Sequence, residues 1–264
     1  MAKQKYAEEL KTMTTLARQA GKISLKSFGQ SREHAKGAKD VATDADLAIQ
    51  ELLKDKLSKA HPEYGFLGEE GQTGGEFVDF DDLYWVVDPI DGTLNYSAGI
   101  PHYAVSIGLV DDGCPVAGVV YDPVAEELYS AEKGCGATLN GKRTSAIKRK
   151  LSESMVEHGF GADMNDNREM WNVLEQLIPR CRRVRSMGSD VLGCCYVGAG
   201  RTAAFVHHHA KPWDLAASML IATESGAKAS DFDGNVKNIF AQTVVCASSK
   251  HYDEIMGIVT NARK

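Results

Sequence analysis

The chain has 264 residues, of which 43% are hydrophobic and 25% are charged, and its net charge is −6. This length allows one large core or two smaller domains. No apolar run approaches the roughly 18 residues of a membrane span, and residues 1–13 lack an apolar leader, so we expect a cytoplasmic protein without membrane attachment. The absence of a long basic stripe argues against nucleic acid as the main ligand, and six dispersed cysteines without a CxxC pair argue against disulfides or zinc.

The first predicted elements are two helices. Apolar residues recur at helical spacing from Ala7 to Ile23, which predicts an amphipathic helix. The same spacing predicts a second helix from Asp44 to Lys59, with Pro62 just beyond its end. Segment 68–76, GEEGQTGGE, is glycine-rich and is predicted to be a mobile loop.

A pair of aspartates follows an apolar run in WVVDPIDGTLNY at 85–96. The run predicts a buried strand that ends at Asp88, and Gly92 and Thr93 offer free backbone N–H groups at a turn or helix start. Asp, Pro and Gly are also the residues that turns prefer, so a simple acidic turn is the alternative. Carboxylates beside free N–H donors favour a site for a hard divalent cation together with a phosphate.

The remainder of the chain changes pattern near residue 146. From Tyr103 to Thr144, short β-rich runs separated by turn signals predict an antiparallel meander. Beyond it, strands and helices alternate: strands at 154–159, 182–186, 203–207 and 243–247, and helices at 168–178, from 189, at 213–224 and at the chain end. We therefore divide the chain into an N-terminal α+β half, residues 1–145, and a C-terminal α/β half, residues 146–264.

Three motifs together resemble the inositol monophosphatase family, whose members are magnesium-dependent, lithium-sensitive phosphatases. The motifs are LGEEG at 67–71, WVVDPIDGTLNY at 85–96 and KPWDLAAS at 211–218, and the resemblance spans nearly the whole chain. It implies a layered αβαβα sandwich of the inositol monophosphatase and fructose-1,6-bisphosphatase type, usually a homodimer. It also implies that metal-activated water hydrolyses a small phosphate monoester with the help of two or three Mg²⁺ ions.

The resemblance also implies a set of metal ligands. Its members are Glu69, Asp88 and the backbone carbonyl of Ile90 for a first ion, and Asp88, Asp91 and Asp214 for a second. Glu70 matches an auxiliary catalytic position that contacts a third metal through water. On its own, Asp214 after Pro212 is typical of an acid in the first turn of a helix, which the helix dipole favours.

Catalytic and phosphate-binding roles are implied for the neighbours of these ligands. Thr93 would lie against the nucleophilic water with Asp46 behind it, while Asp91, Gly92 and Thr93 would contact the phosphate. The pattern Thr43-x-x-Asp46 is also typical of a capping box at a helix start, and both interpretations can hold.

The leaving-group side departs from the family pattern. Gly188, Ser189 and Asp190 match the loop that contacts sugar hydroxyls, but His207 stands where the inositol-specific enzymes carry a glutamate. We interpret His207 as a pocket residue. Neighbours on a strand point to opposite faces, so His208 and His209 are interpreted as solvated imidazoles rather than as members of one metal site.

Several substrates therefore stay open. Inositol 1-phosphate or a related sugar or polyol phosphate is the first expectation. The alternatives are fructose 1,6-bisphosphate, histidinol phosphate and adenosine 3′,5′-bisphosphate. Arginines at 180, 182, 183 and 185 could clamp a second phosphate, although alternate arginines on a strand usually form a solvated face. A regulatory, protein-binding role is the alternative of another class.

Overall fold

The computed structural model describes residues 4–36, 41–71, 82–160, 168–236 and 239–263. Within these ranges the helices are α1 (Ala7–Ser27), α2 (Asp44–Ala60), α3 (Thr93–Ser97), α4 (Arg168–Leu177), α5 (Asp190–Gly198), α6 (Pro212–Glu224) and α7 (Tyr252–Ala262), with a 3₁₀ turn at Leu151–Glu153. The N-terminal strands are β1 (Glu33–Ala35), β2 (Val41–Thr43), β3 (Gly65–Gly68), β4 (Tyr84–Asp91), β5 (Ala104–Asp111), β6 (Cys114–Asp122), β7 (Glu127–Glu132), β8 (Gly136–Leu139) and β9 (Lys142–Arg143). The C-terminal strands are β10 (Met155–Gly159), β11 (Arg183–Arg185), β12 (Ala204–His208), β13 (Ala227–Ser230) and β14 (Thr243–Ser248).

Two sheets carry the fold. The larger one has seven strands in the order β3-β4-β5-β6-β7-β8-β9, with β3 parallel to β4 and all other neighbours antiparallel. The smaller one has five strands in the order β11-β10-β12-β14-β13, in which β10 is parallel to both its neighbours. The short pair β1 and β2 is antiparallel and precedes α2.

Helices and sheets alternate in five layers. One face of the large sheet packs against α1 and α2 around Trp85 and Ile107. Its other face packs against α5 and α6, and the opposite sides of these helices meet the small sheet at residues such as Phe205. The outer face of the small sheet is covered by α4 and α7. This is the predicted αβαβα sandwich, with α+β character in the first half and α/β character in the second.

The central helix α6 lies very close to the large sheet. A Cβ atom added to Gly108 of β5 would come within 2.7 Å of Ala216 Cβ, and one added to Gly118 of β6 would come within 2.8 Å of Ala217 Cα. Glycine on the strands and alanine on the helix are what allow this approach. The close packing fixes the N-terminal turn of α6, which carries Asp214, against the end of β4.

Most predicted elements are confirmed, with small differences at their ends. The strand that was predicted to end at Asp88 continues as β4 through Asp91, because the chain stays extended past Pro89 with an irregular register between Asp88 and Asp91. The capping box at the start of α2 is confirmed, since Thr43 and Asp46 satisfy each other's backbone N–H groups. The predicted loop at 68–76 is described only as far as Gly71, and the rest lies outside the described residues.

The structure also bears on the expectations about the cysteines, about membrane spans and about the division of the chain into halves. All six cysteines are free thiols, as predicted. No described helix is long and apolar enough to cross a membrane. The division into halves at residue 145 stays a prediction, and the described C-terminal helices α5 and α6 share hydrophobic clusters with the large N-terminal sheet.

Candidate metal centre and substrate pocket

Three aspartates from two distant parts of the chain meet at one end of the large sheet. Asp88 and Asp91 lie on the last residues of β4, and Asp214 lies in the first turn of α6 after Pro212. One carboxylate oxygen from each lies within 4.8 Å of the others. Glu69 follows β3 directly, and because β3 is parallel to β4, its carboxyl group reaches the same edge, close to Asp88.

The cluster is acidic and buried, and this raises the pKa values of its carboxyl groups. Burial, together with the neighbouring carboxylates, raises the pKa of Asp88 and of Asp214 well above the usual range. Burial and the adjacent Asp190 raise the pKa of Asp91 to about 8. The pKa of Glu69 is also raised by burial, and Lys36 opposes that change. Such a cluster cannot be fully ionised without added positive charge.

The donor set fits a hard divalent cation. All donors are carboxylate oxygens, the class that Mg²⁺ and related ions prefer. Asp88 Oδ1 is buried and has no hydrogen-bond partner among the described residues. Burial of a polar atom without a partner is costly, and a bound cation would satisfy it. The cluster therefore has both the charge and the open coordination that a metal ion requires.

A lysine that the sequence analysis did not identify neutralises the outer part of the cluster. Lys36 Nζ lies 2.7 Å from Glu69 Oε1 and 2.6 Å from Glu70 Oε1. The backbone of Glu70 is fixed by the amide of Gln50, which accepts from its N–H and donates to its carbonyl, each at 2.8 Å. No local pattern marks Lys36, because its partners lie more than thirty residues away.

Thr93 and Asp46, which the family resemblance placed side by side, lie together at the edge of the cluster. The Thr93 hydroxyl is 2.9 Å from the carbonyl of Ile90 and 3.3 Å from Asp46 Oδ1, and it can donate to either. Asp46 Oδ2 accepts from the backbone N–H of Thr43 at 2.8 Å and from the Thr43 hydroxyl. Burial raises the pKa of Asp46 to about 6, although the bonds from Thr43 lower it in part.

The turn at Gly92 depends on glycine. Its φ is +90°, and a Cβ atom there would lie 2.9 Å from the carbonyl oxygen of Gly188. Asn95, in the next turn, donates its side-chain amide to the carbonyls of Met187 at 2.8 Å and His102 at 2.9 Å. Asn95 is a second residue that the sequence analysis missed. It joins α3 to the loop that precedes α5.

The loop that precedes α5 holds the carboxylate of Asp91 through hydrogen bonds. Ser189 is the N-cap of α5, and its hydroxyl donates to Asp91 Oδ2. The backbone N–H of Val191 also donates to Oδ2, at 3.1 Å, and that of Asp190 donates to Oδ1 at 3.2 Å. Gly188, with φ of +79°, forms the bend before them. The predicted loop residues therefore contact a predicted ligand directly.

His207 lies on the same side and contacts Asp190. Its Nδ1 atom is against Asp190 Oδ2, and its side chain is almost fully buried. Gly159 of β10 makes room for this pair, since a Cβ there would lie 2.7 Å from Asp190 Oδ1 and 2.9 Å from His207 Nδ1. The metal cluster, Gly92, Thr93 and this pair line one pocket of about 300 Å³, which Phe160 also lines.

The other histidines and the arginines lie outside this pocket lining. His208 points to the opposite face of β12 from His207, and its Nε2 atom lies 3.6 Å from Glu169 Oε2. The ring of His208 lies edge-on to the ring of His209. Both are half-buried rather than fully solvated. The arginines at 180, 182, 183 and 185 are exposed, as expected for a solvated face.

Comparison with known proteins agrees with this geometry. The model of the inositol monophosphatase family matches residues 5–264. An inositol-1-monophosphatase of Rhizobium meliloti is 36% identical over 245 residues, covering 90% of this chain and 91% of the relative. A protein named Nus factor SuhB from Xylella fastidiosa is 36% identical over 227 residues, covering 84% and 81%.

A solved structure supports the same conclusion. The extragenic suppressor protein suhB of Bartonella henselae has a TM-score of 0.89 to this chain at 30% identity, covering 96% of this chain and 98% of that one. Fold, motif order and sequence identity agree over nearly the full length. The chain belongs to the inositol monophosphatase family of phosphoric monoester hydrolases.

Proposed function

We propose that the chain hydrolyses a small phosphate monoester in a Mg²⁺-dependent reaction, with inositol 1-phosphate or a related sugar or polyol phosphate as the reference substrate. The observation that carries this proposal is the buried cluster of Asp88, Asp91 and Asp214, whose oxygens lie within 4.8 Å of one another. A buried cluster of like charges is costly to the fold and is typical of a functional site. A homodimer is part of the proposal on the family resemblance alone, and a cytoplasmic location is proposed because the six dispersed free cysteines fit a reducing compartment.

Two Mg²⁺ ions would be held by the residues around this cluster. Glu69, Asp88 and the Ile90 carbonyl would hold one, and Asp88, Asp91 and Asp214 would hold the other, so that Asp88 belongs to both sets. Glu70 would contact a third ion only through water. When bound, the ions supply positive charge to the phosphate oxygens and lower the pKa of water. The ligands themselves are held in place by secondary structure, which keeps the site rigid.

Thr93 and Asp46 are proposed to position the attacking water and accept its proton. Since the Thr93 hydroxyl donates to the Ile90 carbonyl or to Asp46, its oxygen is free to accept a hydrogen bond from water. Asp46, with a pKa of about 6, is ionised at pH 7 yet basic enough to receive a proton that passes through Thr93.

The phosphate is proposed to lie at the turn that Gly92 and Thr93 form. Gly92 and Thr93 both line the pocket, and the missing Cβ of Gly92 leaves room for the carbonyl oxygens of Gly188 and His102 beside the turn. Backbone N–H groups at such a turn are suited to phosphate oxygens as charge develops on them. The leaving group would extend toward Gly188, Ser189, Asp190 and His207, on the far side of Asp91.

The test is a substrate panel with Mg²⁺ titration. It includes inositol 1-phosphate, fructose 1,6-bisphosphate, histidinol phosphate and adenosine 3′,5′-bisphosphate. We expect Mg²⁺-dependent phosphate release that falls more than about a hundredfold in Asp88→Asn, because a bridging ligand is lost. Asp253→Asn, an exposed substitution on α7, is the matched control and should keep full activity. Hydrolysis that does not require added divalent metal would contradict the proposal.

A regulatory role is the second candidate, because a relative of 36% identity is named Nus factor SuhB. In that case a binding partner, not a phosphate ester, would be the physiological target. Asp88→Asn separates the two functions, since it should abolish hydrolysis and leave a surface interaction intact. A cellular phenotype that survives this substitution would favour the binding role.

A further inference from the structure

We propose that the chain has a second ligand site at the C-terminal end of α6, and that this site binds an organic carboxylate with an apolar body. The site is a pocket of about 370 Å³ between the last turns of α6, the start of β6, β13 and the first turn of α7. Its volume lies in the range of small-molecule sites in proteins. It shares no lining residue with the pocket at the metal cluster. The two sites are about 15 Å apart along α6, which continues for ten residues from Asp214 to Glu224.

The interior of this second pocket is mostly apolar. Apolar side chains line it from four segments of the chain, and they are those of Pro115, Met219, Leu220, Ala229 and Val236. Val236 is 58% exposed, so part of this apolar surface stays open to water. Contact between apolar surface and water is unfavourable, and a ligand with an apolar body would remove it.

The hydroxyl and carboxylate groups of the lining already have partners within the fold. The two carboxylate oxygens of Glu224 accept from the backbone N–H groups of Gly134 at 2.8 Å and Gly136 at 2.6 Å. The Thr223 hydroxyl donates to a carbonyl of its own helix at 2.9 Å, and the Tyr252 hydroxyl donates to a serine hydroxyl at 2.5 Å. The hydroxyl protons are therefore not available to a ligand, and the carboxylate is fixed at the turn between β7 and β8.

Two lysines give this pocket its charge. Lys133 lines the pocket, and its ammonium group has no ion pair with any of the described residues. Lys228 Nζ lies 3.4 Å from Asp253 Oδ1, but both side chains are exposed and solvent screens this pair. Two lysines and one glutamate leave the described lining with one excess positive charge, in a chain whose net charge is −6. Two ammonium groups beside an apolar interior complement a carboxylate with an apolar body, and they would repel a cation.

The experiment compares two probes that differ in charge. 2-Naphthoate and 2-naphthamide have the same number of heavy atoms, and only the first carries a carboxylate. In an NMR titration with Mg²⁺ present, we expect 2-naphthoate to bind with a dissociation constant of about 1 mM or less. It should bind about fivefold or more tightly than 2-naphthamide, and Lys133→Gln should lower this preference about threefold. Thr223→Phe should abolish binding of both probes, because its ring would fill the pocket from an exposed position on α6.

Two control variants test where the probe binds. Lys26→Gln removes an exposed lysine on α1 and should keep the preference for 2-naphthoate. Asp88→Asn should bind 2-naphthoate as tightly as wild type, and a loss of binding there would place the probe at the metal centre and overturn the inference.

Three further outcomes would also overturn the inference. They are equal affinity for the two probes, binding that survives Thr223→Phe, and failure of both probes to bind. If both probes fail and the protein self-associates in a way that Thr223→Phe abolishes, a second copy of the chain covers the pocket. None of these measurements uses phosphate release, so their failure leaves the proposed hydrolysis untouched, and a failure of that hydrolysis leaves this site untouched.

Discussion

Metal binding to the acidic cluster should release protons. The pKa of Asp91 sets a minimum for the number released and for the resulting pH dependence of Mg²⁺ affinity. Its pKa is raised to about 8 by burial and by Asp190, so at pH 7 about nine in ten molecules carry a proton on this group without metal. A bound cation requires the ionised form. Between pH 7.5 and 6.0, protonation of Asp91 alone should weaken Mg²⁺ binding by about 20-fold, or about 2 kcal/mol.

This value is a lower bound, because the pKa values of Asp88, Asp214 and Glu69 are raised as well. The same shifts set the stability of the metal-free protein. A carboxyl group whose pKa is raised by folding stabilises the fold below its unfolded pKa, near 4, and that stabilisation is lost as the pH rises through its folded value. The metal-free protein should therefore have a lower melting temperature at pH 8 than at pH 5. Added Mg²⁺ should raise the melting temperature at pH 8 again.

Isothermal titration calorimetry measures the effect directly. The heat of Mg²⁺ binding at pH 7 in buffers of different ionisation enthalpy should report the release of about one proton or more. Asp253→Asn, outside the cluster, should release the same number. The same dissociation constant at pH 6.0 and 7.5, with heats that do not depend on the buffer, would refute the reasoning.

Three further outcomes follow from the geometry. Thr93→Val should lower kcat by about a hundredfold or more with little change in Mg²⁺ half-saturation, because it removes the proton relay but no ligand; parallel loss of metal binding would contradict this. Gly193→Ala should lower the free energy of unfolding in urea by about 1 to 3 kcal/mol, because the new Cβ atom would lie 2.4 Å from Phe205. The control is Gly257→Ala, whose new Cβ atom would have no atom within 4 Å, and its free energy of unfolding should equal or exceed that of wild type. Lys36→Gln should lower the Mg²⁺ half-saturation concentration by roughly threefold or more, because a cation beside Glu69 and Glu70 is removed; weaker Mg²⁺ binding would show that Lys36 assists the metal site.

Local patterns in the sequence predicted the elements and the core of the candidate site. Apolar spacing located α1 and α2 because each buries one face, and Thr43 with Asp46 marked the start of α2 through a capping box. The motif around Asp88 and Asp91 was visible because a buried strand rarely ends in two acids. Asp214 could be joined to them only by family resemblance, since nothing local distinguishes it from an ordinary helix-start acid.

Contacts between distant segments could not be predicted. Lys36 with Glu69 and Glu70, and Asn95 with Met187, join residues of ordinary type whose positions are set by the sheets and not by their neighbours in sequence. Strand β13 was missed because Ala227–Ser230 has no β-branched or aromatic residue. The pairing of His207 with Asp190 depends on Gly159, which gave no signal because the space it leaves exists only in the folded sheet.

The close contact of α6 with Gly108 and Gly118 has a consequence for how this protein can change over time. A larger side chain at either glycine would collide with α6, the helix that carries Asp214, and would therefore disturb the candidate site as well as the core. Selection for activity and selection for stability therefore both act on Gly108 and Gly118. Asp190 lies on α5, His207 lies on β12 and Phe160 follows β10, so these pocket residues are outside the contact between α6 and the two glycines. New substrate preferences can arise at these three positions while that contact stays constant. An engineer who diversifies this chain should hold the α6 contact fixed and randomise the three pocket positions.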